Sequence, residues 1–139
     1  MNPKTRLDAV VRIREVDEDR AKLTLAEAQR LARDAAAAVR SAAARAHVDE
    51  RRGGTAADWA IVESAHIRAL QDARQAEHDE RAAAEKLGAS RAHYVGARTR
   101  AEALRRVLEA RRSEMRVAER SAERKAMDEV ATLLYGRRW

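Results

Sequence analysis

The chain has 139 residues, of which 37% are charged and 3% aromatic, and phenylalanine is absent. Alanine dominates the apolar fraction, so a thick globular core is excluded, and the lack of cysteine excludes disulfides and thiolate metal sites. The net charge of +6 is uneven: residues 98–139 hold 12 Lys and Arg against 7 Asp and Glu, whereas residues 1–97 hold 17 against 16.

Asn2-Pro3 reads as N-cap and first position of a helix running over about residues 3–50, because proline's missing N–H costs nothing there. Its apolar seam recurs in steps of three and four: Leu7, Val11, Arg14, Glu18, Ala21, Leu25, Ala28, Ala32, Ala35, Val39, Ala42, Ala46. Arg14 and Glu18 are the two polar positions, four apart on one face and able to pair as a register-fixing layer.

Arg51-Arg52-Gly53-Gly54-Thr55 is the one place where consecutive glycines interrupt helical periodicity, and it reads as the bend of a hairpin. Thr55 with Asp58 three residues on has the spacing of a capping box for the second helix, about 56–135. That helix keeps one heptad phase through Trp59, Val62, His66, Ala69, Ala73, Ala76, Glu80, Ala83, Leu87, Ser90, Tyr94, Ala97, Ala101, Leu104, Leu108, Arg111, Met115, Ala118, Ala122 and Lys125. A strict seven-residue repeat implies a left-handed supercoil. Gly88 and Gly96 do not shift the phase, so the helix is expected to continue through them. After Lys125 a new stripe of Met127, Val130, Ala131 and Leu134 begins, Gly136 ends the helix, and Arg137-Arg138-Trp139 trails off.

The pattern predicts an all-α fold, a long antiparallel two-helix coiled-coil hairpin with a longer second helix, as one domain over 1–139. At 1.5 Å rise per residue the arms measure roughly 70 and 120 Å. Equal pairing on either side of the bend sets Arg6 near Ala101. Leu104, Leu108, Met115, Ala118 and Ala122 then lie on an overhang that is apolar on one side, basic elsewhere, and suited to a partner.

No catalytic or cofactor chemistry emerges. His47, His66, His78 and His93 form no i, i+4 ligand pair, Gly53-Gly54 lacks the strand and the Gly-Lys-Ser/Thr ending of a phosphate loop, and a hairpin offers no pocket for a triad. No enzyme, small-molecule substrate, metal or cofactor is expected. No apolar run approaches bilayer length and no leader opens the chain, so a cytoplasmic protein is expected.

Three stretches resemble the FliJ family of flagellar type III export, whose injectisome counterparts are the YscO-type stalk proteins. Arg6-Leu7-Asp8-Ala9-Val10-Val11-Arg12-Ile13-Arg14-Glu15 is similar to the family's basic and apolar start. His66-Ile67 with Leu70 and Ala73 occupies the spacing of its aromatic, leucine and alanine positions near the tip, and Arg124-Lys125-Ala126-Met127-Asp128-Glu129-Val130-Ala131 resembles its C-terminal Lys-x-Met/Leu-Asp-Glu-x-Ala signature. The chain departs at His66, where an aromatic is usual, and at His47 and Val48, where tyrosines are common. The resemblance implies a non-enzymatic stalk in the ring of a FliI-like export ATPase hexamer, with the hairpin tip facing a FlhA-like export gate. It also implies a role toward export chaperones, at the cytoplasmic face of the inner membrane. On that basis Arg111, Arg112, Arg116, Arg120, Arg124, Lys125, Asp128 and Glu129 are the expected ATPase-binding residues, and His66, Leu70 and Ala73 the expected gate-binding residues.

Two other readings compete. A basic coiled coil for nucleic acid or an anionic membrane is supported by the charge of residues 98–139. Against it, Glu102, Glu109, Glu114, Glu119 and Glu123 interleave the arginines, and stacking aromatics are scarce, so nucleic acid is not the expected partner. The third reading is a homodimeric structural coiled coil.

Overall fold

The computed structural model describes residues 6–47 and 53–136. They form two helices, α1 (Arg6–Ala46, 41 residues) and α2 (Ala56–Gly136, 81 residues), packed against each other as an antiparallel two-helix coiled-coil hairpin. No strand occurs among the described residues. The cap at Asn2-Pro3, Val48, Arg51-Arg52 of the bend and the Arg137-Arg138-Trp139 tail lie outside them.

The start of α2 follows from local chemistry. Gly53 and Gly54 have φ of 100° and 136°, in the region that side chains disfavour. Thr55 then serves as N-cap: its carbonyl accepts the first helical bond from the Trp59 N–H at 3.1 Å, and its hydroxyl accepts from the Asp58 N–H at 3.3 Å. Asp58 closes the box by accepting from the Thr55 N–H at 2.8 Å. α2 continues unbroken through Gly88 and Gly96.

The chain packs as two compact units, Met1–Asp17 with Ala97–Trp139, and Glu18–Gly96. The Glu18–Gly96 unit is centred on alanine: Ala21, Ala28 and Ala42 are nearly inaccessible, and Ser90 is its buried polar residue. In the other unit Val11, Ala97, Ala101 and Leu108 are buried. Among the described residues no large side chain is completely enclosed. Such seams let backbones come close while each contact removes little apolar area from water.

Every expected seam position from Val62 to Leu108 is buried or half-buried, and so is every described one of α1 except Arg14. Arg14 is exposed and pairs with Asp17 at 3.5 Å, while the neighbouring Glu15 pairs across to Arg105 of α2. Trp59 is half exposed rather than seated in the seam. Past Leu108 the seam steps to Arg112 rather than Arg111, because Arg112 reaches an acid on α1, and then to Met115.

The pairing register also differs from expectation. Glu15 meets Arg105 and Asp8 meets Arg112, so α1 covers α2 as far as Met115 and does not stop near Ala101. Leu104, Leu108 and Met115 are therefore covered, whereas Ala118 and Ala122 are exposed. Side-chain direction contributes to the offset: long side chains lean toward the N-terminus of their own helix, so residues that meet across an antiparallel pair sit several positions apart in level.

Candidate partner-binding surfaces

In the unit of Met1–Asp17 with Ala97–Trp139, two cross-helix ion pairs stand one heptad apart. Arg105 Nε donates to Glu15 Oε1 at 3.1 Å, and Arg112 donates to Asp8 Oδ1 at 2.5 Å. They edge an open cleft over Val11 and Leu108 that Arg12 and Glu109 complete. The Arg112 Nε is buried there with no hydrogen-bond acceptor. Arg98 donates to Glu102 at 2.9 Å within α2, and that bond, with the arginine's charge, lowers the Glu102 pKa.

Beyond Met115, every described residue from Arg116 to Gly136 is exposed. At 100° per residue, Arg112, Arg116, Arg120 and Arg124 form one ridge of four-residue spacing. Ala118, Ala122, Ala126, Val130 and Leu134 form a second ridge, two residues further along, that faces away from the first at each level of the helix. Met127, Val130, Leu134 and Tyr135 are more than half exposed, and with Ala126 and Ala131 they line an almost wholly apolar surface.

Neither curated proteins nor solved structures gave a match. The family model for the flagellar FliJ protein matches residues 3–139. The chain belongs to the FliJ family. That membership makes it a flagellar export-related protein, in agreement with its coiled-coil architecture.

The residues singled out by resemblance to FliJ are not equivalent once placed. Arg112 is half-buried and engaged with Asp8. Arg116 donates to Glu109 at 2.9 Å, and Arg124 Nε donates to the Arg120 carbonyl at 3.4 Å. Arg111, Arg120, Lys125, Asp128 and Glu129 are all exposed, and the Asp128 carbonyl accepts from Thr132 at 2.8 Å. In the Glu18–Gly96 unit, His66, Leu70 and Ala73 share one face of α2; His66 and Ala73 are half-buried and Leu70 is 40% exposed. Exposed Trp59, Ile61 and Ile67 add apolar surface near the start of that helix.

Asp8, Glu15 and Arg105 were missed as partners of the seam. Their signal was present: two acids seven apart on α1 and two arginines seven apart on α2. Among the described residues, no cluster of His, Cys, Asp and Glu can hold a metal, and no helix is long and apolar enough to cross a membrane.

Proposed function

We propose that this FliJ-family chain is a non-enzymatic stalk and adaptor of the flagellar export apparatus, acting as one domain over residues 1–139. Its C-terminal helix enters the ring of a FliI-like ATPase hexamer, and the bend region contacts a FlhA-like export gate. It also serves export chaperones, from the cytoplasmic face of the inner membrane.

The observation that supports the reading is the exposure of all of Arg116–Gly136, a helix with an apolar ridge on one side and arginines on the other. A lone solvated helix does not need both, whereas a helix surrounded by subunits meets surface on every side. Arg111, Arg120, Arg124, Lys125, Asp128 and Glu129 are the contacts we assign to the ATPase, with Arg116 recruited from its intrahelical pair. Arg112 serves the hairpin first. His66, Leu70 and Ala73 are assigned to the gate.

Truncation after Met115 tests this, because it removes the uncovered segment and leaves the covered part of α2 in place. The truncated chain is expected to keep its helical circular dichroism and lose stimulation of the purified export ATPase. Undiminished stimulation would remove the segment from the mechanism. Replacing His66 and Leu70 together with alanine is expected to weaken gate binding without changing ATPase stimulation.

A further inference from the structure

Met127 is 75% exposed, Leu134 68% and Tyr135 71%, on a surface whose polar contribution is almost nil. We infer that this surface docks a second copy of the same chain, antiparallel, with the two α2 helices crossing at Ala126.

Three observations lead there. First, the face continues an interface that already exists. Eighteen residues make five helical turns, so Ala122, Ala126 and Val130 repeat the angular positions of Leu104, Leu108 and Arg112, which α1 covers. A helical occupant suits that face, and α1 does not extend over it in the described residues.

Second, the ridge is complementary in size to itself reversed. With a two-fold axis at Ala126, Ala122 of one copy faces Val130 of the other, and Ala118 faces Leu134. The small residue at the crossing lets the axes approach, and aligning two ridges of four-residue spacing crosses the helices at about −50°, the angle of the commonest class of helix packing. An isologous contact of this kind closes as a dimer and does not propagate.

Third, the flanks are complementary in charge. In an antiparallel two-fold pair each flank faces its own equivalent, so Lys125 of one copy lies beside Glu129 of the other, twice over. Neither residue has an ion pair among the described residues. Their order, lysine before glutamate, is the weaker one for pairing within a helix. Five turns of helix make a small interface, so the dimer is weak and concentration-dependent. It is also incompatible with any other occupant of the ridge.

Sedimentation equilibrium of the full chain tests this independently of the stalk reading. A monomer–dimer equilibrium is expected. Ala126→Glu, which sets two carboxylates against each other at the axis, is expected to leave only monomer with unchanged helicity. Glu129→Lys is expected to weaken the dimer at least tenfold, and Lys125→Glu combined with Glu129→Lys to restore it. Because the chain has no cysteine, an oxidised mixture of Ala122→Cys and Val130→Cys chains should give the mixed disulfide in preference to either homodimer. A monomer at all concentrations, homodimer crosslinks only, or no rescue by the double exchange would each overturn the inference. Protection of the ridge by the export ATPase while the free chain stays monomeric would assign the face to that partner instead.

Discussion

Asp8 of α1 accepts a hydrogen bond from Arg112 of α2, 104 residues away in sequence. Side-chain exposure is 33% for Arg112 and 23% for Asp8, so the pair is shielded more than the Glu15–Arg105 pair one heptad away, at 45% and 42%. Asp8→Asn removes a charge facing a half-buried guanidinium, and is expected to destabilise the helix pair by about 1 kcal/mol. Glu15→Gln should cost no more than about 0.5 kcal/mol. Chemical denaturation with urea, which leaves ionic strength unchanged, measures both. Repeating it in 1 M salt should shrink the Glu15 effect more, because exposed charges are screened more fully.

Ala101 is fully inaccessible and Ala97 3% exposed. A seam built at this closeness has no room for a larger side chain. Ala101→Leu is therefore expected to destabilise by about 1–3 kcal/mol, even though leucine is a good helix former and more apolar. A rise in melting temperature for this variant would contradict the close approach of the two backbones.

Glycines in this chain divide into two kinds. Gly88 lies inside α2 with open space where a Cβ would be, so Gly88→Ala is expected to stabilise by about 1 kcal/mol. Gly53 and Gly54 have positive φ, where alanine is strained, and Gly53→Ala or Gly54→Ala is expected to destabilise by about 1–3 kcal/mol. Thermal melts followed by circular dichroism should show the opposite signs.

Acidification tests the capping box. The Asp58 pKa is lowered by the Thr55 hydroxyl and then by the Thr55 N–H. Its folded pKa lies below the unfolded value near 4, so the stabilisation is present above that value and is lost as pH falls through the folded pKa. The melting temperature difference between the native chain and Asp58→Asn is expected to be constant from pH 7 to about 5 and to narrow below about 4. A difference that persists to pH 2 would show that the contribution of Asp58 does not depend on its charge, and no difference at pH 7 would assign the cap to Thr55 alone.

Periodicity in the sequence by itself determined the helical hairpin, the α2 seam from Val62 to Leu108 and the capping box, because each depends on residues within a turn or two of one another. Resemblance supplied the candidate partner residues but could not rank them: Arg111 and Arg112 are adjacent in sequence, yet one is exposed and the other engaged with Asp8. Only the tertiary structure decided the register, which depends on where each helix ends and how far arginines reach. That register moved the uncovered part of α2 from just after Ala101 to just after Met115, converting Leu104, Leu108 and Arg112 from exposed candidates into parts of the helix pair. A local pattern specifies which face of a helix is apolar; what covers that face is set by contacts between residues far apart in the chain.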